Sequence, residues 1–280
     1  MNIIIAGFLR SCEHVACNHR VLIDALKAAY PDLRIIAILM HNRQTKSECR
    51  NWINALSGYG ISSLFVDQEE LKQDSSFRSA LFFLELTLDP YRDDHQSSSR
   101  YLLYLRSLYY SKNFIMSHVN DSKPFMFMRP DTYLSDSGRL SFETLRALES
   151  GVQTQIIFTP NNQTSSYVND KFFIGTSDAL PPLLDRFTFA CQRIAKGSLP
   201  HSELLTFKAL SSHKINLCRL PSSIVAIRIR SNGSAEPKDL ESGSSTVVSL
   251  VKSRLRLVSL NLISIIWFKA NTAIKMLSSK

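Results

Sequence analysis

Three short, nearly uninterrupted apolar runs dominate the start of the chain: Asn2 to Ala6, Leu33 to Met40 and Ile61 to Val66. Between them lie stretches with helical spacing. From about His14 to Tyr30 the apolar positions are Val15, Val21, Leu22, Ala25 and Leu26, and Pro31 ends the pattern; about Lys46 to Leu56 is a second such stretch, followed by Gly58 and Gly60. A strand apolar along its whole length is buried on both faces, and a β-α-β-α-β order with such strands implies a parallel sheet covered by helices on both sides. At 280 residues the chain can bury one sizeable core, and 44% hydrophobic with 20% charged residues fits a folded domain.

Further along, a helix is expected from Leu71 to Leu88, broken by Asp89-Pro90, and a long one from about Arg100 to His118 after the serines at 97, 98 and 99. Pro124 opens a strand from Phe125 to Arg129. Ser141 caps a short helix to Ser150, Thr154 to Phe158 is strand-like, and a polar loop at 161–169 leads into another short strand, Asp170 to Gly175. Asp178 to Ala195 and His201 to Ser212 read as helices, and Ile215 to Leu220 and Ile224 to Ile229 as closing strands. The composition shifts to Ser, Gly, Glu, Pro and Asp at 231–245, which reads as a flexible linker. The expected organisation is a domain over 1–230, a linker over 231–245 and a basic amphipathic helix over 246–280.

The net charge of +9 belongs to that tail. Residues 246–280 carry six basic side chains (Lys252, Arg254, Arg256, Lys269, Lys275, Lys280) and no acid, so +3 remains for residues 1–245. That location argues against a nucleic-acid binder. The tail's longest uncharged run, Leu257 to Phe268, is shorter than the ~20 residues of a spanning helix. A basic helix with Trp267 and Phe268 suits an anionic membrane interface, while docking on its own domain is the alternative. The five cysteines lack zinc-ribbon spacing, and MNIIIAGFLR has no basic region before its apolar run; a cytoplasmic location is expected, with peripheral contact at the inner face of the membrane.

The segment FMFMRPDTYLSD carries the most chemistry. An apolar strand ends at Arg129-Pro130-Asp131, with Asp136 five residues on. An acid at a strand end can hold a metal or a ribose; it can equally bond its own backbone in a polar turn. Asp170 with Lys171 is either a surface ion pair or an acid delivered near Asp131 by a neighbouring strand. Glu203, in His201-Ser-Glu203 after Pro200, either favours a helix N-terminus or points into a cleft as a general base. Gly7 and Arg10 follow the first strand, where phosphates often dock, although neither GxGxxG nor a Walker A sequence is present. Asp93-Asp94-His95 reads as solvated charge before a helix, and His14 and His19 as helix-face residues.

In order, IIIAGFLR, the Tyr/Leu-rich helix running into FMFMRPD, VNDKFFIGTSDAL, LPHSELLTFKAL and IRIRSNG resemble bacterial surface-polysaccharide glycosyltransferases. The resemblance spans about residues 1–233. It implies an α/β, GT-A-like (Rossmann-like), mostly parallel sheet flanked by helices. It also implies a nucleotide-sugar donor and a glycan or lipid-linked acceptor. Gly7, Arg10, Arg129, Asp131 and Lys171 would then line the nucleotide-sugar site. Asp170 and Glu203 would face the sugar and the acceptor, with Glu203 as base. Mn2+ or Mg2+ would sit at Asp131. Arg129 stands where the family's Asp-x-Asp motif has its first acid. That departure opens a second class, a non-catalytic nucleotide-sugar or glycan-binding relative.

Overall fold

The computed structural model describes residues 1–9, 12–134, 155–160, 168, 170–220, 226–228 and 259–273. The expected helix Ser141 to Ser150, Asp136, Arg10, Asn169 and the linker lie outside them.

The opening alternation folds as read: β1 (Asn2–Phe8), α1 (Cys12–Ala29), β2 (Arg34–His41), α2 (Lys46–Ala55) and β3 (Ser62–Asp67), with each bound within two residues of the expected one. Two expected long helices are divided. Asp74 separates α3 (Gln68–Gln73) from α4 (Ser75–Leu84) because it adopts an extended conformation and accepts from the Phe77 amide at 3.0 Å, capping the second helix. Ser111 separates α5 (Gln96–Tyr110) from α6 (Lys112–His118). β4 (Phe125–Met128), β5 (Thr132–Leu134), β6 (Ile156–Thr159) and β7 (Phe172–Gly175) follow. The expected helix at Asp178 to Ala195 is α7 (Leu180–Leu184) and α8 (Arg186–Ile194), parted at Asp185, which Lys112 holds at 2.6 Å. Then come α9 (Ser202–Ser212), β8 (Asn216–Arg219), β9 (Ala226–Arg228) and α10, residues 259–273.

Seven strands form one sheet in the order β3-β2-β1-β4-β7-β6-β8. All neighbours are parallel except at β7, which runs antiparallel to both β4 and β6. This is the mostly parallel α/β sheet flanked by helices anticipated from sequence. Two details differ. β7 is reversed, and β9 leaves the main sheet to pair antiparallel with β5.

Strand alternation sorts the core into two layers. Ile4, Ala6, Ile36 and Ile38 face α5, α7 and α8, while Ile3, Ile5, Ile35 and Ala37 face α1 and α2 with Trp52 between them. The parallel strands β1 to β4 all end at one edge of the sheet. Because β7 is reversed, its first residues lie at that same edge, beside the end of β4. Ligand sites of open α/β sheets form outside such carboxyl ends.

Candidate functional site

β4 stops in a tight turn. The Thr132 amide donates to the Arg129 carbonyl at 3.1 Å, enclosing Pro130 and Asp131, and proline is favoured at that second turn position. The turn is locked from behind by His19. Trp52 Nε1 donates to His19 Nδ1 at 3.3 Å, so Nε2 carries the proton and donates to the Thr132 carbonyl at 3.0 Å. Burial pushes the His19 imidazole down to about 4, against the opposing pull of Thr132 and Asp131, which keeps it neutral in this role.

The antiparallel register of β4 and β7 continues one residue past the strands: the Arg129 amide donates to the Lys171 carbonyl at 3.0 Å. Arg129, Asp170 and Lys171 are thereby brought together from two distant segments. Arg129 forks onto Asp131, Nε to Oδ1 at 3.1 Å and Nη2 to Oδ2 at 3.0 Å, while Nη1 lies 3.8 Å from Asp170 Oδ2. Its guanidinium also lies over the Tyr104 ring, 5.7 Å from the centroid. Asp131 is fully buried. Despite the burial of Arg129, these two carboxylates hold its guanidinium firmly protonated.

Above this turn lies a cavity of about 400 Å3. Arg129, Asp170 and Lys171 form one side. α5 supplies Ser97, Arg100, Tyr101 and Tyr104, and the start of α9 supplies Ser202 and Glu203, preceded by His201. Phe8 and Arg100 also border a neighbouring cavity of about 460 Å3 under the ends of β1 to β3, where Asn42, Thr45 and Gln68 supply polar groups.

Glu203 enters the cavity from the start of α9. Burial pushes its carboxyl up to about 7, Asp170 pushes the same way, and Lys171 opposes. Burial also lowers His201, which stacks on Tyr91 with ring centroids 5.3 Å apart. The Tyr91 hydroxyl accepts from the Ser202 amide at 3.1 Å, satisfying a donor at the α9 N-terminus that no side chain of α9 caps. Tyr91 itself is fixed by Asp89, which accepts from the amides of Tyr91, Asp93 and His95 at 3.0, 2.8 and 3.1 Å. Deeper, Tyr101 shares a hydrogen bond with Thr206 Oγ1 at 2.8 Å. Buried Arg186 donates to the same oxygen at 3.1 Å and to the Leu183 carbonyl at 2.8 Å. Burial pushes the Tyr104 phenol up to about 12, so it stays protonated.

Of the residues singled out from sequence, Arg129, Asp170, Lys171 and Glu203 converge on the cavity lining. Asp131 is not on it; its carboxylate turns back to Arg129. Gly7 sits one residue short of the lining, with φ +133 and with Tyr104 and Pro130 only 3.3 and 3.4 Å from where a Cβ would stand. Asp93 accepts from the Ser97 amide at 3.0 Å at the start of α5. Sequence reasoning did not pick out Tyr91, Arg100 or Tyr104. The available signal was the spacing of Ser97, Arg100, Tyr101 and Tyr104, which puts hydroxyls and a cation on one helix face.

A divalent cation fits the described donors poorly. Mg2+ and Mn2+ want several oxygens, and both oxygens of Asp131 are engaged by a guanidinium. Among the described residues no group of three His, Cys, Asp or Glu could hold a metal.

No family profile matches the chain, and no curated protein sequence does. Among solved structures it is similar to the galactosyltransferase LgtC in complex with donor and acceptor sugar analogs, at 13% identity and TM-score 0.45, over 79% of this chain and 74% of that one. It is also similar to mouse xyloside xylosyltransferase 1 in its apo form, at 11% identity and TM-score 0.41, over 78% of this chain and 84% of that one.

Proposed function

We propose that the chain is a glycosyltransferase that moves a sugar from a nucleotide-sugar donor to a glycan or lipid-linked acceptor in surface polysaccharide synthesis. The observation that carries this reading is the pairing, within one cavity lining, of a carboxyl held at about 7 with three cationic side chains. Glu203 stands near its neutral-to-charged midpoint at physiological pH, which is where a general base works best. In the same lining, Arg129, Lys171 and Arg100 offer positive charge to a diphosphate.

In this reading the nucleoside occupies the space under β1 to β3 and the diphosphate passes Arg100, which borders both cavities. The acceptor hydroxyl attacks the anomeric carbon, its proton goes to Glu203, and the carbon–oxygen bond to phosphate breaks with the electron pair leaving on the diphosphate. Asp170, beside Arg129, faces the sugar. No step is assigned to a metal.

The test is a screen of nucleotide sugars for thermal stabilisation and for slow donor hydrolysis, in chelator and in Mn2+, with Glu203→Gln alongside. Stabilisation by one donor in both proteins, with turnover in the parent alone, supports the reading. Donor binding without turnover in the parent, even with acceptor extracts, points to the non-catalytic relative. No stabilisation by any nucleotide sugar overturns both.

A further inference from the structure

α10 docks through a mixed face and turns an apolar row to water. At about 100° per residue, Asn261, Ser264, Phe268, Asn271 and Thr272 share one face, and that face is the docked one. Asn261 Oδ1 accepts from the Leu199 amide at 3.0 Å, Ser264 Oγ from the Leu88 amide at 3.3 Å, and Asn271 Nδ2 donates to the Leu86 carbonyl at 3.4 Å. Ser264 is fully buried, and Phe268 sits on Gly197 and against Phe83. The outward face carries Leu262, Ile263, Ile266 and Trp267, each at least half exposed at 50 to 60%. Leu260 and Phe268 are the apolar side chains turned to the domain, and a surface helix normally keeps its other large apolar groups off the solvent face, so the exposed row of four indicates a partner on the outer face.

The charge around this helix identifies the partner. Lys269 lies on the outer half, and the flanking sequence adds Lys252, Arg254, Arg256, Lys275 and Lys280 with no acid between 246 and 280. A second copy of this chain would bring six like charges against six; an anionic bilayer would bring the opposite sign. Among the described residues no helix is long and apolar enough to cross a membrane. We infer that α10 is an in-plane anchor whose Leu262, Ile263, Ile266 and Trp267 enter an anionic lipid surface while its polar face stays docked on the domain.

The docking has a consequence for the cavity. Asn261 holds Leu199, two residues before His201, and Ser264 holds Leu88, three residues before Tyr91. The anchor thus supports both segments that stack at the cavity rim. The inference stands independently of the proposed chemistry.

The experiment is flotation of the full chain with vesicles of phosphatidylcholine alone and of phosphatidylcholine mixed with phosphatidylglycerol, at low and high salt. The comparison protein is Ile263→Glu/Ile266→Glu, which alters only exposed positions and whose unfolding temperature is checked against the parent. The parent is expected to float with the anionic vesicles, less so in high salt, and the double variant to bind at least about tenfold more weakly. Trp267 emission shifts to the blue on binding, whereas Trp52, fully buried, does not respond; Trp267→Phe removes the shift. Failure of the parent to float, or equal flotation of the double variant, overturns the inference. So does a concentration-dependent dimer without lipid that the double variant abolishes, since the face is then covered by a second copy.

Discussion

Glu203→Gln tests whether the cavity really holds its acid in an unfavourable state. Burial raises the carboxyl from an ordinary 4.5 to about 7, with Asp170 adding to the effect and Lys171 opposing it. Below pH 4.5 the side chain is protonated folded or unfolded and costs nothing. Between 4.5 and 7 the folded chain binds the proton more tightly, so stability falls as pH rises, and above 7 the full cost is present. At ~1.4 kcal/mol per unit the ceiling is about 3 kcal/mol. The residue is only partly shielded from water, so screening reduces this to about 1–2 kcal/mol. The neutral glutamine escapes the cost. The unfolding temperature of Glu203→Gln minus that of the parent should therefore grow from pH 4.5 to a plateau above 7, by about 2–4 °C per kcal/mol for a chain of this size. Taking the difference between the two proteins cancels groups they share, such as His201. If Glu203 is also the base, turnover in the parent rises with pH, half-maximal near 7 and level above about 8, and drops by about 10²- to 10⁴-fold in the variant. A temperature difference that is the same at pH 5 and pH 8.5 refutes the argument, because it means that the carboxyl is not held in the cavity as described.

Arg129→Met should cost about 3–5 kcal/mol in urea unfolding by leaving the buried Asp131 without its guanidinium, and adding Asp131→Asn should recover a large part of it. His19→Leu should cost about 2–3 kcal/mol, since the Thr132 carbonyl and the Trp52 indole both lose their partner, and calorimetry at pH 8 reads it. Gly197→Ala meets two obstacles, φ +77 and a Cβ position 2.7 Å from Phe268 Cβ; exchange of the Leu199 and Leu88 amides, both held by α10, should accelerate while exchange in β1 stays unchanged.

The sheet's first half was legible because parallel strands buried on both faces write themselves as unbroken apolar runs, and Pro31 and Gly58 mark the helix ends. Direction is another matter. Phe172 to Gly175 contains nothing that says whether it runs with or against β4, yet its reversal places Asp170 and Lys171 at the same edge as Arg129. Ile224 to Ile229 has the same apolar look as the core strands, and only its pairing with β5 separates it from them. Asp74 shows why one expected helix is two: the carboxylate offers the Phe77 amide a cap that competes with continuing the helix.

The site divides along the same line. Residues at element ends (Arg129, Asp170, Lys171, Glu203) could be read as chemistry because a charge next to an apolar run has no packing purpose of its own. Asp131 was expected to face a ligand; in the structure both its oxygens accept from Arg129, because the Pro130 turn folds its carboxylate back two residues along the chain. Tyr101 and Tyr104 belong to the Tyr/Leu-rich helix and are not marked as site residues by the sequence, since a phenol's role depends on what meets its oxygen, for Tyr101 the Thr206 hydroxyl.

One consequence links the two titrating groups on either side of this turn. His19, held at about 4 against an ordinary 6.5 by burial, takes up its proton in the unfolded chain first, so its contribution is complete above 6.5 and is lost as pH falls toward 4. Glu203 has the opposite sign over 4.5 to 7. Between 4.5 and 6.5 the unfolded chain gains a proton at His19 and the folded chain keeps one at Glu203, so the two slopes oppose each other, and His201, also lowered by burial, adds to the His19 side. Each group contributes on the order of 1–3 kcal/mol. Glu203→Gln should therefore steepen the rise of stability with pH relative to the parent, and His19→Leu should tilt it downward. A slope unchanged from the parent in both variants would show that neither group is perturbed; changes of opposite sign would show that both are.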